Sequence, residues 1–420
     1  MASNPKTAGR LRSALPTWLA TGAFLLASAV LTLTARGQRP APAAPTARFA
    51  GGGSAAEVPM ELAANAVFVP VQVGGGRPSN WLLDTASPAT AAESSLFAPD
   101  AGNGNEAGGS ATLTLPGIQL LEPNLLVHSF QTLGPWYGLR VGGVIGNDLL
   151  ARLVAELDYS RLSIELYRPN SYRRPGHMKK IPIEWVKGLP TIRAKIRSGG
   201  RTIEGDFALN TGGSPGLVVF RSFLSAQRML PPESKTMPGE VVDASGQQAA
   251  TLMRGEWIEV GSVRVSRPIV SIVERNKAFS GAAFEKFKGA SVAGPIDGWI
   301  GGRILRKFRL VLDFPQNCIF AAPNRDFVFP IEADASGATI TATGENLNQF
   351  EVRDVRAGSP AAQAGLEPGD RILVIDGEEA SDLSLDQIRD LLCQGGHSPV
   401  LGVERMGRKV RIELQLKQTL

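Results

Sequence analysis

The chain has 420 residues, with 44 lysines and arginines, 39 aspartates and glutamates, and a formal net charge of +5. This length predicts about two or three domains, and a hydrophobic content of 43% is ordinary for a folded protein. The charge is mild and forms no basic block, which argues against nucleic-acid binding. The two cysteines and three histidines lack metal-ligand spacing. We therefore expect no disulfide framework, no metal and no cofactor.

The N-terminus has the pattern of a targeting segment. Lys6, Arg10 and Arg12 precede an uncharged apolar stretch from Leu15 to Ala35. This pattern predicts a signal peptide or a membrane anchor over residues 1–36, and basic residues on its N-terminal side place the rest of the chain outside the cytoplasm. We therefore expect an extracytoplasmic location, in the periplasm or cell envelope, with inner-membrane anchoring if the segment is retained.

The next residues, 37–58, are rich in Pro, Ala and Gly, and they predict a disordered linker. Short β-type runs follow, among them AVFVPVQV and NWLLDT, punctuated by Gly, Pro and Asn. Such spacing favours an all-β barrel or sandwich. One short helix is predicted after Gly146, where Asn147 is able to cap it.

The second half of the chain repeats this order of runs. LPTIRAKI parallels VFVPVQV, and DFALNT parallels WLLDT, so we assign residues 59–172 to a first lobe and residues 173–328 to a second. The interval from Asp84 to Gly143 is 59 residues and that from Asn210 to Gly298 is 88, which leaves about 29 additional residues in second-lobe loops. Residues 329–420 then predict a separate compact domain with strands, an amphipathic helix and a closing hairpin.

The most informative feature is a duplicated pattern that carries an aspartate once and an asparagine once. The first copy reads NWLLDTASPAT around Asp84, and the second reads GDFALNTGGSPG around Asn210. A turn follows in each copy, GVIG and then GWIG, and fifteen residues after its first glycine each copy reaches an aspartate, Asp158 or Asp313. We expect these two closing aspartates to have turn or strand-end roles.

Two known families are similar to the chain at these residues. Residues 60–325 resemble the retropepsin-like and pepsin-like aspartic proteases, in the bacterial single-chain form, through LLDTA at 82–86, ALNTG at 208–212 and the two turns. Residues 335–420 resemble a PDZ domain through AGSPAAQAGLEPGDRILVIDG. The resemblances imply a mainly β fold, with a two-lobed aspartic-protease-like β-barrel followed by a small α+β PDZ domain.

The first resemblance implies an aspartic-type endopeptidase acting on extended peptides. In that family two carboxylates share a proton, so that one activates water while the other stabilises the scissile carbonyl. By resemblance Asp84 takes the first carboxylate role, with Thr85 behind it, and Thr211 fits the second loop. The second catalytic position is held by Asn210.

An amide at this position does not fit the family's chemistry. Asn210 cannot share or transfer the proton, and loss of one acid/base partner commonly removes about two to four orders of magnitude of rate. Asp206 would lie about 13 Å away along its strand, and Asp297 is better explained by a structural role. Three readings stay open: an endopeptidase impaired by Asn210, a homodimer that brings two copies of Asp84 together, and an inactive pseudo-protease that binds peptides or partner proteins.

Further expectations concern partners and surfaces. The Gly-rich stretch at 101–113 is a substrate-covering flap or a plain surface loop, whereas Trp81 and Trp299 are expected to pack in the core. The PDZ resemblance implies peptide binding by β-strand addition, but the usual Gly-apolar-Gly loop is missing upstream of Phe350, which puts capture of a terminal carboxylate in doubt. Expected partners are a peptide or protein substrate, a PDZ peptide ligand and, through residues 1–36 if uncleaved, the membrane.

Overall fold

The structure is a computed structural model that describes residues 47–97, 111–121, 125–213, 215–243, 246–274, 296–418 and 420. The chain divides into a unit Met1–Arg36 and a unit Gly37–Leu420, and every described residue belongs to the second unit. The predicted signal or anchor segment and most of the Gly-rich stretch therefore lie outside the described residues. Within the described ranges, no helix has the length and apolarity needed to cross a membrane.

The first lobe begins inside the stretch that the sequence predicts as a linker. Residues 47–59 contribute two strands, because the side chains of Phe49 and Val58 are buried in the lobe core. The strands of this lobe are β1 Ala47–Phe49, β2 Ala55–Pro59, β3 Glu61–Ala63, β4 Ala66–Val73, β5 Ser79–Leu83, β6 Ala91–Glu93, β7 Leu113–Leu115, β8 Ile118–Leu120, β9 Leu126–His128, β10 Val141–Ile145, β11 Val154–Asp158 and β12 Ser163–Tyr167. Its helices are α1 Gly134–Tyr137 and α2 Asn147–Leu150.

The second lobe follows the same order with longer strands. Its strands are β13 Lys179–Pro182, β14 Glu184–Val186, β15 Leu189–Ser198, β16 Arg201–Asn210, β17 Leu217–Phe220, β18 Thr236–Asp243, β19 Gly246–Arg254, β20 Trp257–Val260, β21 Val263–Ser266, β22 Ile269–Val273, β23 Gly298–Gly301, β24 Phe308–Asp313 and β25 Cys318–Pro323. Its helices are α3 Arg221–Ala226 and α4 Gly302–Leu305.

Each lobe has its own sheet, and each sheet contains a parallel strand pair at the corresponding place. Over the described residues, β1-β8-β7-β4-β5-β10-β6-β9 form one sheet and β18-β19-β22-β17-β23-β16-β15-β20-β21 form the other. β5 pairs in parallel with β10, and β16 pairs in parallel with β23. The register places Leu83 opposite Ile145 and Asn210 opposite Gly301, so each duplicated motif ends beside the glycine turn of its own copy.

A third sheet joins the two lobes. Its order is β13-β25-β24-β11-β12-β2, with β11 from the first lobe antiparallel to β24 from the second. Val154 pairs with Asp313 and Asp158 pairs with Arg309, so the closing strands of the two copies meet with matched register. The carboxylate of Asp158 accepts from the backbone N–H groups of Ser160 and Arg161, in agreement with the predicted turn role.

The C-terminal domain is a small α+β unit. Its strands are β26 Ala338–Thr343, β27 Gln349–Val355, β28 Arg371–Ile375, β29 Glu378–Glu379, β30 Val400–Arg405 and β31 Arg408–Glu413, and its helices are α5 Pro360–Gln363 and α6 Leu385–Leu392. The sheet runs β26-β27-β28-β30-β31, so β26 is an edge strand. A capping box between Ser384 and Gln387 starts α6, which buries Leu385, Ile388 and Leu392.

The predicted fold class, mainly β with two lobes followed by a small α+β domain, is confirmed. Trp81 and Trp299 are both buried, as expected for core residues. One local expectation differs: Asn147 lies inside α2 and does not cap it. Its side-chain amide instead donates to the carbonyl of Thr85 in the first lobe and to that of Gly188 in the second, because these carbonyl groups at the lobe junction need donors.

The glycine turns are dictated by close backbone approach. A Cβ added at Gly298 would lie 1.9 Å from the carbonyl oxygen of Val218, and one added at Gly143 would lie 2.6 Å from the ring of Trp81. Only glycine fits where strands from both sides approach this closely.

We predict that Gly298→Ala destabilises the protein by about 1–3 kcal/mol or more, because the methyl group forces the carbonyl of Val218 away. The measurement is the midpoint of urea unfolding. Gly176→Ala is the matched control, since a Cβ there meets nothing within 4 Å. Equal midpoints for the two variants would contradict the packing argument.

Candidate functional site

The two duplicated motifs meet at the junction between the lobes. β5 leads into Asp84 and β16 ends at Asn210, and both side chains are buried, with 3% and 5% of their surface exposed. The loop of the second lobe runs directly over the first motif: a Cβ added at Gly212 would lie 2.6 Å from the carboxyl carbon of Asp84. The sequence therefore brings the predicted residues of both copies into one site.

Two threonines tie the motifs together across the junction. The backbone N–H of Thr85 donates to the hydroxyl of Thr211 at 3.1 Å, and the N–H of Thr211 donates to the hydroxyl of Thr85 at 3.1 Å. Each hydroxyl then donates to a carbonyl of the other lobe, Thr85 to Leu209 at 2.8 Å and Thr211 to Leu83 at 2.6 Å. Both threonines are fully buried, so this reciprocal network fixes how the two motifs face each other.

The polar floor of the site carries one carboxylate and one amide. The carboxylate of Asp84 accepts from the N–H of Ala86 at 2.8 Å. The side-chain oxygen of Asn210 is buried and has no hydrogen-bond partner among the described residues. An uncharged amide beside a single carboxylate can hold a hydrogen-bonding group, but it cannot share a proton with its neighbour.

Among the described residues around the second motif, neither Asp206 nor Asp297 is available as a second carboxylate in place of Asn210. Asp206 is paired with Arg193 at 3.2 Å, and Asp297 accepts from the backbone N–H of Asp206 at 2.9 Å. Both aspartates thus have structural partners within the second lobe, on neighbouring strands. Over the same described ranges, no three His, Cys, Asp or Glu side chains come together in a way that could hold a metal ion.

A second candidate site lies between the lobes and the C-terminal domain. A cavity of about 730 Å³ is open on one side to the edge strand β26 and to α6, and on the other to α1, α4 and the β18–β19 hairpin. Its lining residues include Trp136, Met237, Leu252, Thr339, Ile340, Arg303, Arg306 and Arg389. The groove between β26 and α6, which is where an added strand would bind, therefore opens into a space walled by the lobes.

Specific contacts hold the C-terminal domain against the first lobe. Both carboxylate oxygens of Asp386, on α6, accept from the N–H of Ala64, at 2.9 and 2.8 Å. The guanidinium of Arg353 stacks over the ring of Trp136 at 4.6 Å, and the backbone of Gly138 lies against Leu385. The first lobe thus covers the end of the groove near the start of α6.

Charge at this contact is partly compensated. Burial raises the pKa of Asp386, while Arg389 and the N–H of Ala64 act in the opposite direction. Burial also lowers the pKa of Arg389, which Asp386 raises and Arg303 lowers further. Arg389 donates to the carbonyl oxygen of Ile340 at 3.2 Å, so it occupies an acceptor on the open edge of β26.

The sequence did not single out these contact residues. Two of them, Asp386 and Arg389, lie on the amphipathic helix α6, and Arg303 and Arg306 lie on or just after α4. Their importance depends on how the domains pack. No local signal in the sequence could have identified them.

Comparisons with known proteins match the C-terminal domain. The PDZ domain family matches residues 351–405. A carboxyl-terminal-processing protease of Synechocystis sp. is 55% identical over 60 residues, which cover 11% of this chain and 14% of the relative. The chain therefore spans about 14% of the length of that curated relative. The PDZ domain predicted from the sequence is confirmed.

Two solved structures show weaker similarity. A photosystem II D1 C-terminal processing protease has 26% identity and a TM-score of 0.19, covering 20% of this chain and 23% of that chain. An aspartic proteinase from Irpex lacteus has 14% identity and a TM-score of 0.40, covering 66% of this chain and 99% of that chain. At these TM-scores neither structure supports an argument about fold or function.

The activity predicted from the sequence is contradicted. The chain was expected to be a retropepsin-like aspartic endopeptidase, whereas the curated relative that it matches is a carboxyl-terminal-processing protease. The resemblance of residues 60–325 to aspartic proteases is likewise not supported by the family comparison. The physical reason lies at Asn210, which is buried at the junction of the two motifs and, as an amide, cannot share a proton as the second carboxylate of that family does.

We predict that Thr85→Val and Thr211→Val each destabilise the protein by about 1–3 kcal/mol, because each leaves a buried carbonyl of the opposite lobe without a donor. Urea unfolding measures the loss. The matched controls, Thr85→Ser and Thr211→Ser, keep the hydroxyl and should lose less. The double valine variant should lose less than the sum of the single losses, and strict additivity would argue against a shared network.

We predict that wild type loses stability relative to Asp386→Asn as the pH rises. The pKa of Asp386 is raised in the folded state, so the stability that its proton contributes is present below the ordinary value of 3.8 and is lost as the pH rises through the raised value. Glu61, Asp390, Arg306 and Arg389 face the same contact and are unchanged in both proteins. The measurement is the difference in unfolding free energy from about pH 4 to pH 7. The stability of wild type minus that of Asp386→Asn should fall as the pH rises. If this quantity stays constant or increases, the assignment is refuted.

Proposed function

We propose that the protein binds extended polypeptide in the groove of its PDZ domain, outside the cytoplasm. The observation that carries the proposal is the edge strand β26, which within the described residues pairs with β27 alone, is contacted by α1 and lies beside α6 over a cavity of about 730 Å³. An unpaired strand edge next to a helix is the arrangement in which a peptide adds as a further strand. The curated relative that the chain matches over 60 residues is a protease, which makes polypeptide the natural class of ligand.

The first lobe covers one end of the groove, which limits where along β26 a ligand can pair. α1 of the first lobe covers the end of the groove near Leu385, whereas the end near Gly337 opens into the cavity. A bound segment therefore pairs with the first residues of β26 and then continues along the walls of the lobes. For this pairing the ligand has to supply a donor to the carbonyl of Ile340 in place of Arg389.

The residues at the lobe junction have a binding and structural role in this proposal. Thr85 and Thr211 hold the motifs in register. Asp84 and Asn210 form a polar floor that is able to contact a ligand through hydrogen bonds. Because Asn210 cannot share a proton, we assign this floor no role in activating water.

The location follows from the N-terminal sequence. Lys6, Arg10 and Arg12 before the apolar stretch support export to the periplasm or cell envelope. Membrane association, if the segment is retained, would place the groove close to the membrane surface, where it meets exported polypeptides.

We predict that the full chain binds extended peptides through β26. The probe is a panel of fluorescein-labelled decapeptides of alternating Val and Thr with one varied central position, and fluorescence anisotropy measures affinity. Ala338→Trp fills the groove at its open end and should weaken binding at least about tenfold, because the wider side chain excludes the added strand.

The matched control adds the same side chain to the opposite edge of the sheet. Lys409→Trp, on the exposed face of β31, should bind the panel as wild type does. If no peptide of the panel binds, or if both tryptophan variants bind equally well, the proposed groove is wrong.

A further inference from the structure

The loop before β26 has already used the donors that would receive a terminal carboxylate. The carboxylate of Asp334 accepts from the N–H of Ser336 at 3.0 Å and from the N–H of Gly337 at 2.7 Å. The N–H of Ala338 donates to the hydroxyl of Ser336 at 3.0 Å. A peptide terminus arriving here would meet an existing negative charge and no free backbone donor in this loop.

The nearest arginine does not change this conclusion. Nη1 of Arg356 lies 3.9 Å from Oδ2 of Asp334 and offsets its charge, whereas its Nη2 is buried and has no hydrogen-bond partner among the described residues. A terminal carboxylate would therefore have to compete with Asp334 for the same cation. The structure thus gives a physical reason for the doubt that the missing Gly-apolar-Gly loop raised about carboxylate capture.

Cationic groups instead reach the cavity from the second lobe. Arg303, on α4, donates to the carbonyl of Glu332 at 3.0 Å, and Arg306, just after α4, donates to the side-chain oxygen of Asn65 at 2.7 Å. Within the part of the chain that the structure describes, neither guanidinium has a carboxylate within 4.0 Å. Both arginines are half-buried and line the cavity. A guanidinium held by neutral acceptors retains donors that suit a carboxylate.

The carboxylates on the facing helix do not satisfy these arginines. Asp386 is bonded to the N–H of Ala64 and paired with Arg389 at 3.6 Å. Asp390 is exposed and is not paired with either arginine of the second lobe within the described residues. Arg389 lines the same cavity as the two second-lobe arginines, together with the carboxylates of Asp386 and Asp390.

We propose that Arg303 and Arg306 receive a side-chain carboxylate of the bound polypeptide, so that the protein selects acidic internal segments and not free carboxyl termini. The inference rests on the proposed function, because it concerns a ligand held in the groove of β26. It makes the second lobe part of the recognition site. If the PDZ domain alone recognised the ligand, α4 would not contribute to selectivity.

Four matched peptides separate side-chain from terminal carboxylate recognition. Each is a fluorescein-labelled decapeptide of alternating Val and Thr whose central position is Glu or Gln, with the C-terminus either free or amidated. We expect the Glu peptides to bind the full chain about tenfold to hundredfold more tightly than the Gln peptides, in line with a charge-assisted pair. Amidation should leave affinity unchanged, and about 0.5 M NaCl should shrink the preference for Glu.

Variants of the second lobe test which residues provide the preference. Arg303→Gln and Arg306→Gln should each reduce the ratio of Glu to Gln affinity toward one, while affinity for the Gln peptides stays close to that of wild type. Arg303→Lys keeps the charge without the planar fork and should retain part of the ratio. Arg201→Gln is the matched control, because Arg201 is an exposed second-lobe arginine that also donates to a carbonyl, that of Arg228.

Each other outcome overturns a distinct claim. Equal binding of Glu and Gln peptides, with clear binding of both, would overturn the acidic preference and leave the groove intact. A loss of affinity on amidation would show that a terminus is recognised, and an unchanged ratio in both Gln variants would show that α4 is not involved. Failure of all four peptides to bind would overturn the proposed function itself.

Discussion

The structure depends on the reciprocal hydrogen bonds between Thr85 and Thr211. Each threonine accepts from the backbone N–H of the other and donates to a carbonyl of the opposite lobe, so neither motif can shift without leaving buried polar groups unpaired. This constraint sets the relation between the lobes. The bridging sheet, in which β11 and β24 meet, then extends the same near-symmetric relation away from the site.

Much of the fold could be predicted because its signals are local. The alternating apolar runs, the glycine turns and the matched spacing of the two copies indicated a duplicated β architecture, and a Cβ at Gly298 would indeed meet a carbonyl oxygen. The repeat also indicated that the loops around Thr85 and Thr211 belong to corresponding positions, and the hydrogen bonds between these two residues join them. The strands within residues 47–59 could not be predicted, because their Ala- and Gly-rich sequence becomes ordered through burial of Phe49 and Val58 against distant strands.

Activity was harder to derive than geometry. A repeat indicates which residues meet, but the chemistry depends on the protonation states that those residues can adopt. Asn210 preserves the shape and the buried position of a second carboxylate while removing its proton. The similarity in arrangement therefore led to an expected activity that the match to a carboxyl-terminal-processing protease contradicts. A motif is informative about a reaction only when every reacting group in it is present.

The contact between the lobes and the PDZ domain follows from tertiary packing and could not be found in the sequence. Asp386 accepts a hydrogen bond from the backbone N–H of Ala64, and its burial raises its pKa. In the same contact, Arg389 donates to the carbonyl oxygen of Ile340 on the edge strand β26. Arg303 and Arg389 line the same cavity, which also includes the carboxylates of Asp386 and Asp390. Because burial strengthens electrostatic interactions, a carboxylate entering this space is held more strongly than one on an exposed surface. In the proposed complex, the groove and the second lobe form one recognition surface, in which the PDZ domain supplies the strand edge and the lobe supplies Arg303 and Arg306.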